Sequence, residues 1–260
     1  MLNKHDLKVL LRSGSWDFMR NSRRTPTRDE RKTYVWAGNP IEYRPGTSDA
    51  GIIYQVLLKS GNKAEYALPP KLSPKVILDI GANIGITSVY LANQFPKAKI
   101  YAFEPVPENF ELLKRNTVAY PNVEAFCVAL GARDGSFEIN LSDNPDNFGG
   151  FSFHDAGSNT TNKINVVVRQ AQQFMDECGI DRVDLIKIDT EGSEYEILSS
   201  ISSALLQQVT WIVGELHGNK DYELFTMLDP WFDLGVKKTL GKRLYMFNAC
   251  NRHRVADIVG

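Results

Sequence analysis

The sequence predicts an α/β fold, a mainly parallel Rossmann-like sheet with helices on both faces, and three observations carry that prediction. From residue 75 onward, apolar runs of strand length alternate with stretches of helical periodicity. The first run, Val76-Ile77-Leu78-Asp79-Ile80, ends in the turn Gly81-Ala82-Asn83-Ile84-Gly85, and a helical pattern starts at once. The next run, Lys99-Ile100-Tyr101-Ala102-Phe103, ends in Glu104-Pro105. A glycine turn after one strand and a carboxylate at the tip of the next make a nucleoside site.

Taken in order, residues 2–12 read as a short amphipathic helix on Leu2, Leu7, Leu10 and Leu11. Residues 20–32 are polar, basic and loosely held. Strand-like pieces at 33–36 and 42–44 and a helical piece at 52–59 follow, and Pro69, Pro70 and Pro74 mark a boundary. The expected division is an N-terminal extension over 1–70 and a ligand-binding domain over 71–260. Core strands are expected at 75–80, 99–103, 123–128, 183–188, 209–215, 234–240 and 244–248. Helices are expected at 84–95, 107–118, 170–178, 193–206 and 220–230. The last two strands are joined through Gly241-Lys242, so seven strands finish in an antiparallel hairpin. Between 131 and 168 the pattern loosens into strands at 136–141 and 164–168 around a long loop, 142–162. That loop holds Phe148, Phe151, Phe153 and His154, and is expected to close over an acceptor as a lid.

Composition narrows the class. Net charge is −1, which argues against a general nucleic-acid binder. Residues 1–32 carry net +5 and the remaining 228 residues net −6, so the basic lead is either a solvated arm or a contact for an anion. Cys127, Cys178 and Cys250 are widely spaced, without a CxxC, and suggest neither disulfides nor zinc. With no signal-peptide pattern and no apolar run of spanning length, a soluble cytoplasmic protein without membrane insertion is expected. Oligomeric state is not legible.

The turn itself selects a ligand. Asp79-x-Gly81-x-Asn83-x-Gly85 lacks the third glycine of the dinucleotide fingerprint and places an acid where a pyrophosphate would sit. A cationic nucleoside tolerates that acid. S-adenosylmethionine, with a sulfonium, an ammonium and no phosphate, fits Asp79, Gly81, Asn83, Gly85 and Glu104, with the backbone near Ala129 meeting its adenine edge. A nicotinamide-dependent oxidoreductase is the rival reading, and a cofactor-binding scaffold without catalysis is another.

Ligands of open parallel sheets gather at the carboxyl ends of the strands. There the chain places Asp79, Glu104, the run Lys187-Ile188-Asp189-Thr190-Glu191-Gly192, and Glu215-Leu216-His217. Asp189 follows an apolar run and is expected to be partly desolvated, while Glu191 and Glu194 either act or stabilise a helix start. His217 is the expected general base, with Asp189 and Glu215 positioning an acceptor hydroxyl and Glu191 beside them. Asp189, Glu215 and His217 also make a possible oxygen-rich cation site, but no compact metal motif is present, and no metal is expected.

Three strings resemble the FkbM family of S-adenosylmethionine-dependent methyltransferases. They are Leu78-Asp79-Ile80-Gly81-Ala82-Asn83-Ile84-Gly85, Phe103-Glu104-Pro105, and Asp184-Leu185-Ile186-Lys187-Ile188-Asp189-Thr190-Glu191-Gly192-Ser193-Glu194. Tyr43-Arg44-Pro45-Gly46-Thr47-Ser48-Asp49 is similar to the segment that often precedes the core in this family. The resemblance covers roughly residues 40–217. It implies a class I methyltransferase sheet and methyl transfer to an oxygen of a sugar, glycan, polyketide-type or other small-molecule acceptor. Its cofactor residues carry over to Asp79, Gly81, Asn83, Gly85 and Glu104, and its acids to Asp189, Glu191 and Glu194. The chain departs from the family at Gln170-Ala171-Gln172-Gln173, where neutral amides replace the usual acids and count against a catalytic role for that helix.

Overall fold

A computed structural model of the chain describes residues 2–26, 29–61, 64–66, 68–141, 151–152, 163–238, 245–255 and 258. The N-terminal part comprises α1 (Lys4–Ser13), α2 (Trp16–Asn21), the antiparallel pair β1 (Lys32–Trp36) and β2 (Asn39–Tyr43), α3 (Ser48–Ile52) and a π-helical turn, Ile53–Leu58. Asn3 and Asp6 form a reciprocal capping box at the start of α1, and Gly14 ends it in the left-handed conformation. Ser15 then caps α2, a helix that the basic composition around it hid.

The core follows as β3 (Val76–Ile80), α4 (Ile86–Gln94), β4 (Lys99–Phe103), α5 (Pro107–Thr117), β5 (Val123–Phe126), β6 (Ala129–Gly131), β7 (Gly135–Leu141), β8 (Phe151–Ser152) and β9 (Lys163–Gln170). It continues with α6 (Ala171–Glu177), β10 (Leu185–Ile188), α7 (Glu194–Ser199), α8 (Ser203–Leu206), β11 (Trp211–Leu216), α9 (Asp221–Leu228), β12 (Phe232–Lys238) and β13 (Tyr245–Asn251). The seven-stranded sheet has the order β12-β13-β11-β10-β3-β4-β5. Its β5, β4, β3, β10 and β11 are parallel, and β13 runs antiparallel between β11 and β12. This is the class I methyltransferase sheet that the hairpin and the resemblance predict. The turn between β12 and β13 and the body of the 142–162 loop lie outside the described residues.

Alternation along the strands sets the two faces. Leu78, Ile80, Ile186, Ile188 and Ile212 join α6 to α9 in one apolar cluster. On the other face, Val89 of α4 packs with Val213, Met246 and the extension residues Val9, Phe18, Tyr34 and Ile41. The register then aligns the site. Ile80 stands beside both Ile188 and Phe103, so β3, β4 and β10 reach the same edge together.

Two expectations are corrected. The strand expected over 123–128 stops at Phe126, and β6 leaves for a second, four-stranded sheet of order β6-β9-β7-β8. The helix expected over 193–206 breaks into α7 and α8, because the Ser200 hydroxyl bonds the carbonyls of Ile197 and Gly131 while Ser202 caps α8. The amides of the departing Gln170 stretch are structural: Gln170 caps α6, and its side chain donates to the Ser200 carbonyl.

Candidate active site

A cleft of about 950 Å³ opens at the carboxyl edge of the sheet. The core lines it with Gly81, Asn83, Glu104, Lys187, Asp189, Glu191, Glu215 and His217, and the extension lines it with residues from His5 to Tyr66.

The β3–α4 turn forms its floor. Gly81 has φ +76, and a Cβ there would stand 1.9 Å from the Asp189 carbonyl oxygen. Gly85 has φ +85, and a Cβ there would press on Leu113. Both glycines are therefore required by contact with the protein itself. Asn83 adopts φ 50, and its buried side-chain oxygen has no partner among the described residues. Asp79 is fully buried beneath the turn and does not line the cleft. Its oxygens face Lys187 Nζ at 3.2 Å and the Ser88 hydroxyl at 2.6 Å, so Asp79 meets the cleft through Lys187. Burial works against the Lys187 charge, but Asp79, then Asp189, hold it above the ordinary lysine range. Lys187 also donates to the Gly81 carbonyl at 2.6 Å and so fastens the turn.

Glu104 directly follows β4 and has both oxygens engaged. Asn83 N donates to one at 2.8 Å, and Val106 N to the other at 2.9 Å. Burial raises its carboxyl to about 7 against these donors. Ala129 opens β6 and lines a separate pocket of about 20 Å³ with Phe103, Pro105 and Thr190, not the cleft.

The ends of β10 and β11 bring Asp189, Glu191, Glu215 and His217 together. His217 Nε2 lies 3.7 Å from Asp189, 3.6 Å from Glu191 and 3.8 Å from Glu215, beyond hydrogen-bond length in each case. Its Nδ1 meets Glu194 Oε1 at 3.0 Å. Glu194, not Glu215, is thus the residue that orients the ring. The same Glu194 oxygen accepts from the Thr190 amide and hydroxyl at 2.9 and 3.1 Å, pinning the loop where Glu191 sits at φ 55. Tyr66, from the extension, donates to Asp189 Oδ2 at 3.2 Å.

The electrostatics follow from crowding of acids in a buried place. Burial and the neighbouring Asp189 push Glu191 up to about 7 and Glu215 up to about 9. Burial acts to lower His217, but its Glu194 bond and the surrounding carboxylates outweigh this and raise it to about 9. Glu194 falls below its ordinary value despite burial, because His217 bonds to it. This upward shift works against the expected role of His217 as general base. Among the described residues, Asp189, Glu215 and His217 offer ligand atoms all within 4.8 Å of one another.

Sequence reasoning placed most of these groups at one edge. It missed Tyr66, which sits in a segment without motif, and the bond from Glu194 to His217. The Lys187–Asp79 pair was legible in principle, since the two are directly opposite in the β10–β3 register.

A family model described as the methyltransferase FkbM domain matches residues 79–244, more than half of the chain. The AMB antimetabolite synthetase AmbE of Pseudomonas aeruginosa is 28% identical over 64% of this chain and 9% of its own length. The hexuronic acid methyltransferase AglP of Haloferax volcanii is 27% identical over 59% of this chain and 60% of its own. The 31-O-demethyl-FK506 methyltransferase FkbM of Streptomyces tacrolimicus is 27% identical over 55% and 65%. The chain thus spans less than two thirds of each of these relatives. Among the described residues, no helix is long and apolar enough to cross a membrane.

Proposed function

The chain belongs to the family of the methyltransferase FkbM domain, and on that premise we propose that it transfers the methyl group of S-adenosylmethionine to a hydroxyl of a sugar, glycan or related natural product. One observation carries the reading: the Gly81 turn, Glu104 and the His217 ring of acids line a single cleft. Relatives named for a hexuronic acid and for an O-demethyl compound support an oxygen acceptor. The absence of a broad positive charge, at net −1, disfavours a nucleic-acid acceptor.

The residues fit such a cofactor. Glu104 is a buried acceptor at the cleft, and Asn83 keeps a buried oxygen without a donor. Glu104 would take the ribose hydroxyls, and Asn83 with the Gly81 turn the amino-acid end. The bound cofactor supplies an electrophilic methyl on a sulfonium. The chain holds the acceptor hydroxyl in line with the methyl–sulfur axis and excludes water, which supplies much of the acceleration. The acceptor oxygen forms the new C–O bond, the S–C bond breaks with its electron pair left on sulfur, and the hydroxyl proton is taken within the ring of Asp189, Glu191, Glu215 and His217.

Calorimetry with S-adenosylhomocysteine and with NAD tests the cofactor. Stoichiometric binding of the first alone is expected; binding of NAD alone would turn the reading to the oxidoreductase. With candidate glycan extracts, His217→Ala is expected to lose at least about a hundredfold in turnover while keeping S-adenosylhomocysteine affinity. Near-normal turnover would remove the ring from the chemistry.

A further inference from the structure

We propose that Asp189, Glu215 and His217 hold a divalent cation of the Mg2+/Mn2+ class, and that the acceptor binds it through two adjacent oxygens. The second half rests on the methyl-transfer reading; the first does not.

The geometry is that of a gap between ligands. His217 Nε2 faces Asp189 Oδ1 at 3.7 Å and Glu215 Oε2 at 3.8 Å, too long for hydrogen bonds. Ligand atoms that share a cation at about 2.1 Å stand about 3 Å apart when adjacent in an octahedron. Small side-chain rotations close the difference. Two of the three ligands are already aimed. Glu194 bonds the far nitrogen of His217 at 3.0 Å, and Tyr66 bonds the far oxygen of Asp189 at 3.2 Å. A carboxylate behind the imidazole and a donor behind the carboxylate are what orient metal ligands and fix the histidine tautomer.

Glu215 supplies the independent observation. It is only 9% exposed, yet no described residue donates a hydrogen bond to it, and its carboxylate points at His217 Nε2. Glu215 lines the cleft together with Asp189 and His217, so all three ligand groups can be reached by an ion entering there. One imidazole nitrogen and two carboxylate oxygens suit a hard, octahedral cation better than a thiophilic one. Three such ligands would leave half of an octahedron open, and all three residues line the cleft. Two neighbouring hydroxyls, or a hydroxyl beside a carboxylate, span two such positions on one cation. That defines the acceptor class as a vicinal dioxygen compound, with the methylated oxygen held by the metal. Glu191, outside the ligand set and 3.6 Å from His217 Nε2, is then the group left to take its proton.

The test is Mn2+ binding to the full, chelator-treated chain, read by electron paramagnetic resonance and calorimetry beside S-adenosylhomocysteine binding. One Mn2+ per chain is expected. Asp189→Asn and Glu215→Gln should each weaken it at least tenfold with melting temperature kept, and Glu223→Gln on α9 should not. Catechol, with adjacent oxygens, should change the spectrum of the bound Mn2+, and phenol should not. A chain that binds S-adenosylhomocysteine but no Mn2+ at millimolar concentration overturns the cation site and leaves the methyl-transfer reading standing. Mn2+ binding without S-adenosylhomocysteine binding does the reverse. Mn2+ binding that both variants retain places the ion elsewhere and also overturns the proposal, and equal effects of catechol and phenol overturn the acceptor class.

Discussion

Glu104 has two duties that pull its charge in opposite directions. It must be ionised to accept ribose hydroxyls, and burial raises it to about 7 in the ligand-free chain. Hydrogen bonds from a ligand favour the ionised form, so bound ligand and proton compete. S-adenosylhomocysteine affinity is therefore expected to climb as pH rises and to level off above about 7, falling by up to about tenfold per unit below it. Glu104→Gln should bind more weakly at pH 8 and lose this pH dependence, which separates Glu104 from Glu191, also near 7. Calorimetry across pH 5.5–8.5 measures both; an unchanged slope in the glutamine variant would falsify the assignment. Alanine is the poorer test, because Glu104 also receives Asn83 N and Val106 N and so ties two loops together. The acids themselves were legible, since Asp79, Glu104, Asp189 and Glu215 each end or interrupt an apolar run. Their partners were not. Tyr66 reaches Asp189 across 123 residues, and local spacing says nothing about such a bond.

At the scale of elements, the β3–α4 turn and the β10–α7 loop are one structure. Gly81 lies against the Asp189 carbonyl, Lys187 bonds the Gly81 carbonyl, and Glu194 holds the loop beyond. Gly81→Ala would force a Cβ into that carbonyl at a positive φ, and is expected to cost at least about 2 kcal/mol of stability. It should also displace Asp189, weakening both cofactor and Mn2+ binding. Urea unfolding beside the two binding titrations checks this; intact stability would mean the turn can open without the loop. Core strands were legible because their apolar runs are compact and end at a turn, as in Ile77, Leu78 and Ile80 of β3, all buried. The second sheet was not, because β6 has three residues and pairs in parallel with β9 far along the chain. No local pattern encodes which sheet a short run joins.

For the whole molecule, the question is whether residues 1–70 are an appendage or part of the core. The sequence separates them by composition, yet Val9, Phe18 and Ile41 share a buried cluster with Ile84, Val89 and Met246 of the sheet domain. A buried polar chain makes the same connection. Arg44, 1% exposed, pairs with Asp49 through Nε at 2.8 Å and Nη2 at 2.9 Å, and bonds Asn109 on α5 at 2.9 Å. Asn109 reaches Glu104 at 3.4 Å, so the extension leans on the residue assigned to the ribose. Asp49→Asn leaves the guanidinium buried without its charge partner, which costs roughly 3–5 kcal/mol when an ion pair of this kind is broken. Because the extension and the sheet share their core, that loss is expected to lower a single cooperative transition of the entire chain, and not a separate early one. Calorimetric melting with far-ultraviolet and tryptophan signals in parallel decides. Two resolved transitions, with only the first moved by Asp49→Asn, would mean that residues 1–70 fold as their own unit and that the cleft is closed by a docked neighbour.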